Sequence, residues 1–139
     1  MKILVDTSIW SLALRRPLRT RVVSAPEVVE LQRLISNFRV AIIGSIRQEI
    51  LSGIREPSKF EKIRGELAPF VDFSLTREHY ELAASLYNKC RAKGVQGSNT
   101  DFLICAAAIS ESMPVFSTDK DFVQFAKVLP IKLHATAIH

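Results

Sequence analysis

The chain has 139 residues, enough to bury about two thirds of its unfolded surface around one hydrophobic core without a second domain. Hydrophobic residues make up 47% and charged residues 24%, with no repeat or low-complexity tract, which sets aside the disordered and fibrous classes. The 19 Lys plus Arg against 14 Asp plus Glu give a formal charge of +5 and favour a polyanionic partner; no apolar run approaches a membrane span or a secretion signal, so a cytoplasmic protein is expected.

Residues 2–6, Lys-Ile-Leu-Val-Asp, are too short for a helix and apolar on both faces, as suits a central parallel strand ending at Asp6. Thr7 and Ser8 end it, and a short helix over 9–14 is broken by Pro17. Arg15, Arg16, Arg19 and Arg21 crowd around that proline, in a segment that is either a solvated loop or a contact for phosphates. Pro26 opens a helix over 27–35 with apolar positions 28, 31, 34 and 35. Residues 40–43 read as a second buried strand. Ser45 and Gln48 then form a capping-box pattern, which predicts a helix over 46–51 with Glu49 in its first turn.

A helix over 57–67 and a short edge strand over 71–73 come next, followed by the longest helix, from Thr76 through Cys90 towards Gly94. Ser98 and Asp101 make a second capping-box pattern, ahead of a helix over 102–109 so apolar that it must be buried. A strand at 115–116 leads through Ser117, Thr118 and Asp119 into a helix over 122–129, and a strand at 131–133 brings the set to about five. Strands alternating with helices predict one α/β domain over 1–139, with a parallel sheet between two helical layers.

Cys90 and Cys105 fall in separate helical patterns and read as buried free thiols, while His79, His134 and His139 show no ligand or nucleophile-base spacing. The carboxylates are more telling. Asp6 and Asp119 sit at carboxyl ends of predicted strands, and Glu49 and Asp101 at starts of helices, so in an open parallel sheet all four reach one edge. Each has a purely structural alternative as a helix cap or a dipole partner. Packed together without a cation, however, they raise one another's pKa. An all-oxygen set, with the hydroxyls of Thr7, Ser8, Ser98, Thr100, Ser117 and Thr118 beside it, selects Mg²⁺ or Mn²⁺. A basic protein with such a pocket suits phosphodiester hydrolysis.

Asp6-Thr7-Ser8-Ile9-Trp10, Glu49-Ile50-Leu51 before Gly53, Ser98 with Asp101-Phe102, and Ser117-Thr118-Asp119-Lys120-Asp121-Phe122 resemble, in order and spacing, the PIN-domain ribonucleases. The likeness is strongest to the VapC-type toxins of toxin-antitoxin pairs. It implies a PIN-like three-layer sandwich, Mg²⁺- or Mn²⁺-dependent cleavage of RNA, a homodimer, and a small VapB-like antitoxin. Asp6, Glu49, Asp101 and Asp119 match the four family acids, and Asp6, Asp101 and Asp119 are expected to hold the metal. Glu49 is expected to orient or deprotonate the attacking water, or to help bind a second ion. Asp121 matches a further acid, either a helix residue capped by Thr118 or a helper beside the metal with Thr7, Ser117 and Thr118. Two rivals stand beside this reading. One is a non-catalytic nucleic-acid or protein-binding module of the same fold. The other is a phosphatase using Asp6 as nucleophile, which position 8 disfavours by being Ser rather than an acid.

Overall fold

The apolar run after Lys2 becomes β1 (Ile3–Val5), buried at every position at the centre of a parallel sheet in the computed structural model. The structure describes residues 1–14 and 25–136; the arginines at 15, 16, 19 and 21 lie outside them. β1 pairs on one side with β2 (Val40–Ile43) and on the other with β4 (Val115–Phe116), placing Leu4 opposite Ala41 and Val115. β2 in turn pairs with β3 (Asp72–Phe73), so the order is β3-β2-β1-β4. β2 and β3 extend the sheet to one side of β1 and β4 to the other. The switch point therefore falls between β1 and β4, and all the carboxyl ends open on one edge.

Seven helices flank the sheet among the described residues: α1 (Thr7–Leu14), α2 (Pro26–Ser36), α3 (Gly44–Ser52), α4 (Pro57–Leu67), α5 (Arg77–Ala92), α6 (Asn99–Glu111) and α7 (Asp121–Val128). α1 packs on α2 and α3, and α3 on α4, whereas α5 packs on α6 and α7. α6 is buried nearly all round, as its composition demands: Phe102 and the run from Ile104 to Ala108 are all in the core. Its three consecutive alanines let it approach its neighbours closely. Phe102 packs on Phe125 with ring centroids 5.0 Å apart, and Phe125 meets Phe122 edge-on at 5.3 Å. Cys90 and Cys105 are free and buried, as expected.

Four features differ from the sequence expectation. The fifth strand is a single bridge from Val115 to Leu133, because β4 is only two residues long and offers one residue for outward pairing. Val115 N–H donates to Lys132 O and His134 N–H to Val115 O, both at 2.8 Å. The box at Ser45 does not form: α3 issues straight from β2, Ile43 is its N-cap without a side-chain bond, and Ser45 Oγ is buried without a partner among the described residues. Glu49 consequently sits in the second turn of α3 rather than the first. The buried face of α2 runs through Glu30, Leu31 and Leu34, so a carboxylate occupies a core position. Glu30, 3% exposed, accepts from Arg33 Nε and Nη2 at 2.8 Å and is bonded to His134 Nε2 at 2.5 Å. The Arg33 charge on one side and hydrogen bonds from both are what permit its burial.

α3 also fixes the edge of the sheet. Arg47 donates to Asp72 Oδ1 at 3.0 Å and to the carbonyls of Leu67 and Phe70, tying the end of α4 and β3 to the helix that carries Glu49.

Candidate active site

Asp6 is the first residue beyond β1 and only 5% exposed. Its N–H continues the ladder to Phe116 O at 2.9 Å, and its carbonyl accepts Ile9 N–H at 3.1 Å, so it closes the strand and opens α1 at once. Asp6 Oδ2 accepts Ser117 Oγ at 2.7 Å, Ser8 Oγ at 2.9 Å and, more weakly, Ser8 N–H at 3.4 Å. The capping alternative is thus realised, but by one oxygen only. Among the described residues Asp6 Oδ1 has no hydrogen-bond partner.

Across the switch point the β4–α7 loop presents the second acid. Ser117 Oγ accepts Asp119 N–H at 2.9 Å, and Thr118 N–H donates to Ser8 Oγ at 3.0 Å. Asp119 Oδ1 accepts Asp121 N–H at 2.9 Å. Asp121 is therefore the first residue of α7 rather than the third after a Thr118 cap, and Asp119 takes the N–H that opens that helix. Asp121 and Asp119 are both exposed, so their carboxylates stay accessible.

The Ser98–Asp101 capping box forms as expected. Ser98 N–H donates to Asp101 Oδ2 at 2.9 Å and Asp101 N–H to Ser98 Oγ at 3.1 Å. Burial pushes the Asp101 carboxyl above its ordinary range; the bonds to Ser98 oppose this, and the charges of Asp6 and Asp119 add to it. Three aspartates from three separate segments thus feel one another at one edge. Glu49 is not among the charges acting on Asp101. It lies exposed on α3 and lines, with Ser11, Leu14 and Lys59, a cavity of about 280 Å³.

Hard divalent ions fit the donors present. All are oxygens, the mutual repulsion at Asp101 is what a cation relieves, and Thr7 Oγ1, next to Asp6, is buried without a partner among the described residues. No three Asp, Glu, His or Cys side chains among those residues are gathered into a ready-made cage. Asp101 Oδ2 and Asp119 Oδ1 each accept a main-chain N–H at a helix start. Two cavities, of about 350 Å³ beside β3 and about 410 Å³ between α5 and α6, lie away from these aspartates. Volume alone is a poorer guide here than converging charge. Sequence reasoning missed the convergence of Ser8 and Ser117 on Asp6 Oδ2, whose only signal was a hydroxyl two residues after Asp6 and another two before Asp119.

A parallel α/β sheet with Asp6 and Asp119 beyond its strand ends, both acting electrostatically on Asp101, is an acid-lined α/β architecture. Residues 3–128 match the model of the PIN domain, and the chain belongs to that family. No curated protein matches it in sequence. Among solved structures it is similar to VapBC2 from Rickettsia felis bound to a DNA fragment from their promoter, at 19% identity and TM-score 0.75, covering 96% of this chain and 98% of that one. It is similar also to FitAcB from Neisseria gonorrhoeae, at 19% identity and TM-score 0.70, covering 99% of each chain. VapBC-5 from Mycobacterium tuberculosis, of the VapBC family of toxin-antitoxin systems, shares 16% identity and a TM-score of 0.65 over 95% of this chain and 96% of that one. At such identities the likeness speaks for the fold.

Proposed function

We propose that this chain is a Mg²⁺- or Mn²⁺-dependent endoribonuclease, acting as the toxin of a VapC-type toxin-antitoxin pair. PIN domains are generally nucleases. The observation that carries the reading is the electrostatic convergence of Asp6, Asp101 and Asp119 at the sheet's switch point, in a chain of net charge +5. Likeness to toxin-antitoxin complexes supports a small VapB-like antitoxin as partner, and family kinship supports a homodimer.

In this reading Asp6, Asp101 and Asp119 would hold the ion, directly or through water. When bound, such an ion makes water a better nucleophile and offsets charge on the leaving oxygen. The chain supplies the rest. Asp6 is immobilised by Ser8 and Ser117, Asp119 is presented by the loop those serines hold, and Asp101 is oriented by Ser98. Glu49 is assigned to accept a proton from the attacking water, with Asp121, Thr7, Ser117 and Thr118 as supporting groups. Arg15, Arg16, Arg19 and Arg21 are candidates to steer RNA.

The test is to incubate the purified protein with a total RNA pool and Mg²⁺, beside its Asp101→Asn variant, and map the cut ends. Cleavage leaving 5′-phosphate and 3′-hydroxyl ends, abolished by EDTA and lost in the variant, is expected. Equal cleavage by the variant sinks the assignment.

A further inference from the structure

In sequence Ser8 is one hydroxyl among several beside the acids; in the structure it joins two segments that are 110 positions apart. A serine hydroxyl has one hydrogen to give and two lone pairs with which to accept. Ser8 Oγ donates to Asp6 Oδ2 at 2.9 Å and accepts Thr118 N–H at 3.0 Å. Ser117 does the same on the next rung, donating to the same oxygen at 2.7 Å and accepting Asp119 N–H at 2.9 Å. The two hydroxyl oxygens are 3.2 Å apart. Each hydroxyl hydrogen is thereby directed at one carboxylate oxygen, and one lone pair of each hydroxyl is met by a main-chain amide.

Two consequences follow from this arrangement. Asp6 Oδ2 is saturated, which leaves Oδ1 as the oxygen free to face a ligand. The amides of Thr118 and Asp119, in the loop that carries the second acid, are keyed to the same carboxylate from the far side of the switch point. A lone serine at position 117 would hold only one of those two amides.

We infer that Ser8 is a positioning residue for the cation site: with Ser117 it commits Asp6 to binding through Oδ1 and fixes the reach of Asp119. The inference rests on the metal-dependent reading above. Removing the hydroxyl leaves Asp6 held by Ser117 and, weakly, by the Ser8 N–H, so it is less firmly oriented, and it unties Thr118; cation affinity therefore falls while the fold persists. Groups that hold a ligating carboxylate typically change metal affinity by about 10-fold or more when removed.

The experiment is calorimetric titration of the full-length protein with MnCl₂, alongside melting without metal, for wild type, Ser8→Ala, Ser8→Cys, Ser8→Thr and Asp6→Asn. Ser8→Ala and the near-isosteric Ser8→Cys are expected to bind Mn²⁺ about 10-fold more weakly, and Ser8→Thr, which keeps the hydroxyl, to bind as wild type does. Should Ser8→Ala not fold, Ser8→Cys answers the same question. Wild-type affinity in either hydroxyl-free variant, with binding lost in Asp6→Asn, overturns the role of Ser8 and leaves the metal site standing. A melting temperature lowered with Mn²⁺ affinity intact reduces Ser8 to a structural link and overturns it likewise. No Mn²⁺ uptake by wild type brings down the cation site and this inference together.

Discussion

Asp101 serves two masters with one carboxylate. One oxygen accepts Ser98 N–H at the start of α6, while the group as a whole is pushed up by burial and then by Asp6 and Asp119. A carboxyl whose folded pKa exceeds its ordinary 3.8 stabilises the fold in its protonated form; that stabilisation is full below 3.8 and disappears as pH rises through the folded value. At neutral pH the ionised group is therefore a net strain on the fold. Asp101→Asn keeps an oxygen for Ser98 and loses the charge, so it is expected to melt at or above the wild-type temperature while RNA cleavage falls by about 100-fold. Calorimetry and a cleavage assay check the two halves. Cleavage by the wild type is expected to fade on acidification at a higher pH than an unperturbed aspartate would set, which a pH–rate profile reads. The aspartates were legible in the sequence because strand ends and capping boxes are local patterns. The Ser8–Ser117 pair was not, since its members are 109 positions apart and ordinary in composition.

Among the elements, those buried on all sides announced themselves. β1, β2 and α6 have no polar face, and nothing but a core accommodates such runs. α2 and α3 were read less well, each for a tertiary reason. Of the two partners that let Glu30 into the core, Arg33 is local but His134 lies 104 positions away, and α3 begins at the end of its strand with no room for a cap at Ser45. The entry to α6 depends on a residue with no side chain at all. A Cβ on Gly97 would stand 2.5 Å from Phe125 Cζ and 3.1 Å from Phe102 Cε2, so the loop before Ser98 lies directly on the aromatic cluster. Gly97→Ala must displace those rings and is expected to destabilise by about 1–3 kcal/mol in a urea melt. It should also lower cleavage, since the same loop sets where Asp101 stands.

For the molecule as a whole, acid sensitivity is set at Glu30 rather than at the aspartates. The Arg33 guanidinium, helped by His134 and opposed by burial, holds the Glu30 carboxyl down at about 2 against an ordinary 4.5. A depressed carboxyl contributes stability that is complete above 4.5 and lost as pH falls towards 2. Glu30→Gln is expected to cost about 3 kcal/mol at neutral pH and to flatten that acid limb, as urea melts at pH near neutrality and in the acid range would show. The parallel order of the sheet and the shortness of its flanks, β3 and β4 at two residues each, were legible from the alternation of elements; the reduction of the fifth strand to a single bridge was not, because it depends on how little of β4 is left to pair. The Val115–Leu133 bridge has a consequence for solubility. Residues 132–134 occupy the outward N–H and C=O of Val115, and the bond from His134 to Glu30 fastens them there. They act as a guard rail on an apolar flank that would otherwise accept a strand from another molecule. A chain cut after Pro130 is expected to form aggregates that light scattering detects, even where Asp6, Asp101 and Asp119 are untouched.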